Sequence, residues 1–259
     1  MINKNPIGLF DSGIGGTSIW KEVHALMPYE NTIYLADSKN APYGLKSKDE
    51  IIALSCKNTE FLLENNCKII VVACNTATTN AIKELRAKYD VPFIGIEPAI
   101  KPAALQSKTQ KIGILATKGT LNSELFHKSV ANHPDVTIIE QIGHGLVQLI
   151  ENGDMNSAEM EELLKSYLNP MVEKNIDYLV LGCSHYPYLI PQIKKIIPPQ
   201  IKIIDSGEAV AKQTQKILEQ SHLLNLTNKK SSQIFYTNSE PEVLKNILGN
   251  CENVIYKNF

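Results

Sequence analysis

Two apolar runs in this chain, Lys68–Ala73 and Tyr178–Gly182, each end in a cysteine and then in small polar residues. The first continues as Cys74-Asn75-Thr76 and the second as Cys183-Ser184-His185. A short, unbroken apolar run of this kind reads as a strand buried on both faces, the kind found in parallel sheets covered by helices. The runs have companions. Ile7–Phe10, Thr32–Leu35 and Phe93–Ile96 accompany the first, and Lys111–Ala116, Thr137–Glu140 and Lys202–Ile204 the second. Amphipathic stretches predicted as helices alternate with them: Thr17–Leu26, Lys48–Asn65 and Thr79–Tyr89, then Ser123–Ala131, Met160–Glu173, Ile190–Ile197 and Ala209–Gln220. Such alternation implies parallel βαβ layers with right-handed crossovers.

The two sets resemble each other. Ile7–Gly13 aligns loosely with Ile112–Lys118, 105 residues on, and the cysteines of the two apolar runs, Cys74 and Cys183, are 109 apart. A repeat of that length suggests two similar domains, since solenoid units are only about 20–50 residues long. The expected fold is therefore α/β: two similar domains with mainly parallel sheets flanked by helices. The boundary falls near Glu97–Lys101, and the chain returns to the first domain after Ala209, where Ile234–Tyr236 and Val254–Tyr256 are further strand candidates. That gives residues 1–97 plus 210–259 for one domain and 98–209 for the other, with Asn225–Ser232 as a surface loop. Ligands of open α/β sheets bind at the carboxyl ends of the strands. Two such edges face to face make a cleft with one thiol on each wall.

Charge narrows the partners. With 26 basic and 27 acidic side chains the formal net charge is −1, against the basic surplus of a nucleic-acid binder. Only one of the basic residues is an arginine, Arg86, so an anionic substrate must be held by lysines, hydroxyls or backbone amides. No apolar run approaches the roughly 18 residues of a membrane span, and the start of the chain carries no secretory apolar region. The five cysteines are widely spaced and form no CxxC pair, which disfavours a disulfide framework or a zinc cluster. These features predict a cytoplasmic protein that binds neither membrane nor nucleic acid.

The segment Phe10-Asp11-Ser12-Gly13-Ile14-Gly15-Gly16-Thr17-Ser18 is a glycine-rich strand-to-helix turn, which can offer backbone N–H groups and a positive helix end to an anion. It lacks the Gly-Lys of a Walker A loop, and Ser18 replaces the third glycine of a dinucleotide fingerprint. Asp11 would also repel a pyrophosphate. A small zwitterion fits better, its carboxylate near the amides and its ammonium near Asp11.

Either thiol alone reads as a small buried hydrophobe. Cys74, however, is followed by Asn75, Thr76, Thr78 and Thr79, and Cys183 by Ser184 and His185, polar groups that are costly to bury without partners. Both lie at predicted helix N-termini, where the helix dipole lowers a thiol pKa from about 8.5. Cys56, Cys67 and Cys251 lack such flanks and read as structural. Two mirrored thiols can form a redox disulfide, bind a metal, or act as bases on opposite faces of one carbon. The third option best explains the duplication, because inverting a stereocentre needs one proton removed and another delivered from the opposite side. No pyridoxal phosphate or dinucleotide signature accompanies them, so the predicted chemistry uses no cofactor and no metal.

Taken together, FDSGIGG (Phe10–Gly16), Ala41-Pro42-Tyr43-Gly44, Ala73-Cys74-Asn75-Thr76-Ala77 and Leu181-Gly182-Cys183-Ser184-His185-Tyr186-Pro187 resemble the cofactor-independent aspartate/glutamate racemase superfamily, in particular bacterial glutamate racemases. The likeness extends through Gly95–Ala103, Thr117–Thr120 and Asp205–Ala209. It implies an active site between two α/β domains, with Cys74 and Cys183 as the acid/base pair assisted by Asp11 and His185. It further implies that Asp11, Ser12, Tyr43, Gly44, Asn75, Thr76, Ser184 and His185 meet the substrate, mostly through hydroxyls, amides and backbone. Thr117 and Thr120 match family residues at the cleft, and Glu151 matches an acidic residue beside the second cysteine. Ser184 stands where the family usually has threonine, and Gly143–Gln148 lacks the usual Cys-Pro. The resemblance implies L- and D-glutamate as substrates, D-glutamate supplied for peptidoglycan, and a homodimer. Aspartate racemisation and a non-catalytic ligand sensor are the competing readings. The chain starts a few residues before its first strand, which predicts no need for a cell-wall-precursor activator.

Overall fold

The computed structural model describes residues 4–227, 230–251 and 253–259. The chain runs β1 (Ile7–Asp11), α1 (Thr17–Leu26), β2 (Thr32–Ala36), α2 (Lys48–Glu64), β3 (Ile69–Val72), α3 (Asn75–Lys88) and β4 (Phe93–Gly95). Then follow α4 (Ile100–Gln106), β5 (Lys111–Ala116), α5 (Lys118–Leu121), α6 (Glu124–Ala131), β6 (Thr137–Ile142), α7 (Leu146–Glu151), α8 (Ala158–Glu173), β7 (Tyr178–Gly182), α9 (Ile190–Ile196) and β8 (Lys202–Ile204). The last elements are α10 (Gly207–Gln220), β9 (Gln233–Thr237), α11 (Pro241–Ile247) and β10 (Val254–Tyr256).

The strands form two sheets, one in the order β10-β9-β2-β1-β3-β4 and the other β6-β5-β7-β8, and every pairing is parallel. Within the first sheet the run β2-β1-β3-β4 repeats the order of the second, which places β3 and β7 in equivalent positions. Both strands are buried along their length, as their apolar sequences require. One apolar core passes between the sheets, joining Ile14, Val23 and Tyr34 to Leu115, Ile150 and Leu181. A second lies on the far face of the larger sheet around Phe10, Val72 and Leu85, and a third on the far face of the smaller around Ile112, Phe126 and Val180.

The local signals explain the helix starts. Ser47 and Glu50 make a reciprocal capping box at α2, and Ser123 and Ser157 accept hydrogen bonds from the first turns of α6 and α8. Three differences from the sequence reading have physical causes. The helix expected from Thr79 starts at Asn75, because the Cys74 side chain caps it. No α-helix begins directly at Cys183. A short 3₁₀ turn, Tyr186–Leu189, follows instead and runs into α9, with Pro187 and Pro191 holding the start of each. The short helices α4, α5, α7 and α11 span seven residues or fewer, too short for a 3.6-residue apolar period to declare itself. Of the expected loop Asn225–Ser232, residues 228 and 229 lie outside the described residues.

Candidate active site

The carboxyl ends of β1, β2 and β3 face those of β5 and β7 across a narrow cavity of about 10 Å³, room for roughly one water. One wall carries Ser12, Tyr43, Gly44, Cys74, Asn75 and Thr76; the other carries Thr117, Cys183, Ser184 and His185. Ten of the predicted site residues thus converge, and both thiols line one space. Pro42 and Val147 complete the lining. The remaining three, Asp11, Thr120 and Glu151, stand behind the wall and hold it.

Cys74 leaves β3 in extended backbone and caps α3, its Sγ accepting the Ala77 N–H at 3.4 Å and lying 3.7 Å from Ser12 Oγ. The amide of Asn75 is 2 % exposed, and neither its nitrogen nor its oxygen has a partner among the described residues. An orphaned buried amide costs about 1–3 kcal/mol, which a bound polar ligand would recover. Thr76 Oγ1 reaches Thr117 Oγ1 at 2.8 Å, and Thr117 donates to Thr120 at 3.1 Å, so three hydroxyls bridge the walls. Thr78 does not belong to the site: its hydroxyl donates to the Val72 carbonyl and accepts from Ile96 N–H, tying β3 to the end of β4.

The glycine turn binds the protein's own carboxylates. Asp11 Oδ2 accepts the amides of Gly16 at 2.8 Å and Gly13 at 3.3 Å, while Ile14 N–H donates to Glu151 Oε1 at 2.7 Å. The expectation that these amides are free for a substrate carboxylate is therefore wrong at Gly13, Ile14 and Gly16. Close approach is what the glycines provide. A Cβ on Gly13 would stand 1.9 Å from Glu151 Oε1, and one on Gly15 would stand 2.2 Å from His185 Nδ1.

On the second wall, His185 Nε2 and Glu151 Oε1 are 2.5 Å apart, and the other Glu151 oxygen accepts from Ser38 Oγ at 2.7 Å. The Nδ1 face of His185 looks toward Cys183 Sγ at 3.8 Å and Asp11 Oδ2 at 3.9 Å. Ser184 Oγ donates to Asp11 Oδ1 at 3.1 Å. Burial alone would push the His185 imidazole down, but its hydrogen bonds to Cys183 and Glu151 and the charges of Asp11 and Glu151 win, raising it well above its ordinary value. Asp11 is raised chiefly by burial, with the His185 charge and the Gly16 amide opposing. Burial pushes the Cys74 thiol well above its usual range, and the Asp11 charge adds to that. The helix-dipole expectation for Cys74 is overruled, since removal from water outweighs one capping amide.

Sequence reasoning missed three supports. Ser38 holds Glu151; the Tyr188 hydroxyl meets Thr17 Oγ1 at 2.6 Å; and Asp37, just past the end of β2, accepts the Tyr43 hydroxyl at 2.5 Å. The strand-end rule that singled out Cys74 and Cys183 applies equally to Asp37.

The profile of the Asp/Glu/Hydantoin racemase family matches residues 17–214. A glutamate racemase of Herpetosiphon aurantiacus is 43% identical over 91% of this chain and 93% of its own. The crystal structure of Francisella tularensis glutamate racemase in complex with D-glutamate superposes with a TM-score of 0.84 at 30% identity, covering 98% of each chain. That of the Escherichia coli enzyme, in complex with L-glutamate and the activator UDP-MurNAc-Ala, gives 0.86 at 31% identity, again over 98% of each. The chain belongs to the Asp/Glu/Hydantoin racemase family and, within it, to the glutamate racemases.

Proposed function

We propose that this protein interconverts L- and D-glutamate by a two-thiol proton transfer that uses no cofactor. The observation that carries the reading is the placement of Cys74 and Cys183 at the ends of equivalent strands, β3 and β7, on opposite walls of one cavity. A thiolate on one wall takes the α-proton, and the thiol on the other wall gives its proton to the opposite face of the same carbon. The proton count balances: the product leaves inverted, and the two sulfurs have exchanged roles. The reverse reaction restores them.

Geometry suggests the auxiliary roles. Cys74 on its own holds its proton, because it is buried and faces Asp11. The α-ammonium of a bound amino acid supplies the missing positive charge, so the thiolate forms when substrate is present. On the other wall His185, raised above its ordinary value, lies 3.8 Å from the Cys183 sulfur. Among the described residues no lysine or arginine lines the cavity, so the substrate carboxylates go to neutral donors, with the Asn75 amide and the Thr76 and Thr117 hydroxyls the groups in place.

We read residues 1–97 plus 210–259 and 98–209 as the two domains, and a cytoplasmic homodimer supplying D-glutamate for peptidoglycan as the biological setting. Among the described residues no helix is long and apolar enough to cross a membrane. The direct test follows optical rotation of L-glutamate, and separately of L-aspartate, with purified protein and no added cofactor. Loss of rotation with glutamate supports the reading. Inversion of aspartate alone would replace it with an aspartate racemase, and inertness toward both with a binding protein. Rescue of a D-glutamate auxotroph tests the cell-wall role.

A further inference from the structure

The segment that carries Tyr43 and Gly44 into the cavity has little structure of its own. Between β2 and α2 it makes only two three-residue 3₁₀ turns, Ser38–Asn40 and Tyr43–Leu45. Its anchor is Asp37, whose carboxylate is 1 % exposed and forms no ion pair with a lysine, arginine or histidine among the described residues. The donors around it are neutral. Oδ2 accepts the Tyr43 hydroxyl at 2.5 Å and Oδ1 accepts Asn40 Nδ2 at 2.7 Å and Asn238 Nδ2 at 2.5 Å, while Asn58 Nδ2 donates to the Tyr43 oxygen at 3.1 Å.

Asn238 is distinctive in this cluster because it comes from the far end of the chain. β9 pairs with β2 in a register that sets Thr237 beside Ala36, so Asn238 and Asp37 leave the sheet edge side by side. The Asn238 amide then makes two contacts. Its nitrogen donates to Asp37, and its oxygen accepts Lys39 N–H at 3.0 Å, gripping the loop at the residue before the first turn and at the turn's middle residue. The side chain is 4 % exposed, so water does not replace it readily.

We infer that Asn238 is a positioning residue for substrate binding, acting through Asp37 on Tyr43 and Gly44. A buried carboxylate that loses a donor must find another, and the mobile candidates are the loop groups it now holds. Gly44 lies close against the opposite wall, where an added Cβ would be 3.0 Å from Thr117 Cβ, so a small shift of the loop changes the cavity. The two thiols follow β3 and β7 and lie outside this loop, which reaches the surroundings of Cys183 indirectly, through Ser38 and Glu151 to His185. Binding should therefore weaken while proton transfer persists. The inference rests on the racemase reading only for its kinetic readout.

Three variants test it: Asn238→Ala, Asn238→Asp, and the swap Asp37→Asn/Asn238→Asp. Racemisation kinetics in both directions are measured together with calorimetric titration of D-glutamate and thermal melts. For Asn238→Ala the expected result is a KM and a Kd raised about tenfold, with kcat lowered less than about threefold. Asn238→Asp sets two carboxylates face to face and should bind more weakly still. The swap restores one carboxylate and one amide and should recover KM to within about threefold of the unaltered protein. Unchanged KM and Kd in Asn238→Ala, a loss confined to kcat, or a swap no better than Asn238→Asp overturns the inference. If Asn238→Ala fails to fold, the comparison of Asn238→Asp with the swap still decides. An unaltered protein that binds glutamate without racemising it rejects the proposed function, and the calorimetric values then decide this inference separately.

Discussion

Asp11 shows how much one side chain at the end of a strand can organise. It leaves β1 fully buried, holds the glycine turn through Gly13 and Gly16, accepts Ser184 from the other wall and faces His185. Its charge also opposes the Cys74 thiolate. Asp11→Asn keeps the shape and removes the charge, so the expected outcome is a kcat lowered about a hundredfold with KM changed far less. Steady-state kinetics in both directions check this; an effect confined to KM would demote Asp11 to substrate binding. At this scale the sequence was most legible where chemistry needs a particular residue. The two cysteines with their polar followers are recognisable because thiols next to uncharged donors have little structural purpose. Asn238 was not, because its partner Asp37 is 201 residues away and only the β2–β9 register brings them together.

Among the elements, helices read from apolar periodicity were found to within a few residues, and the errors sit at functional ends. α3 starts four residues before the expected Thr79 because a cysteine serves as its cap, a role that composition does not advertise. The opposite error occurs after Cys183, where Pro187 and Pro191 break the chain into a 3₁₀ turn and a short helix. The amino-terminal side of the larger sheet is fastened by a different device. Lys68, at the entry to β3, meets Glu30 at 2.6 Å with both side chains 2 % exposed, and its ammonium also donates to the Leu223 carbonyl. Glu30 in turn accepts Asn225 N–H, so this pair clamps the link between α10 and β9 beneath β2 and β3. Lys68→Met leaves Glu30 buried without its cation, which should cost about 3–5 kcal/mol of unfolding free energy. Urea denaturation measures it; a loss below about 1 kcal/mol would show that the pair is not isolated from water.

At the scale of the whole molecule, the repeat inferred from two cysteine-tipped strands reappears as matching strand orders in the two sheets. The facing of the two sheet edges follows from one core shared between them, a feature that no local pattern encodes. The burial of Cys74 gives the pH dependence its sign. Because burial raises the Cys74 thiol, the free enzyme reaches that thiolate only as pH rises, so kcat/KM for D-glutamate, whose α-proton Cys74 takes in this account, should climb from pH 6 toward mild alkali. The bound ammonium favours the thiolate, so the acid limb of kcat should lie at lower pH than that of kcat/KM. Both should fall again once the second thiol ionises and no acid remains. Profiles between pH 6 and 10 check this, and flat curves would contradict the two-thiol account.

If each thiol serves one face of the same carbon, single-cysteine variants in D₂O separate the two half-reactions. In this account Cys183 takes the α-proton of L-glutamate and Cys74 that of D-glutamate. A serine hydroxyl is too weak an acid to replace the missing thiol, so both Cys74→Ser and Cys183→Ser should lose inversion almost completely. The remaining thiol still exchanges its proton with solvent and returns it to the face it came from. Proton NMR should then show deuterium entering L-glutamate, without inversion, in Cys74→Ser, and entering only D-glutamate in Cys183→Ser. Exchange of the opposite enantiomers would reverse the assignment of the faces, and full racemisation by either single variant would contradict the two-thiol mechanism itself.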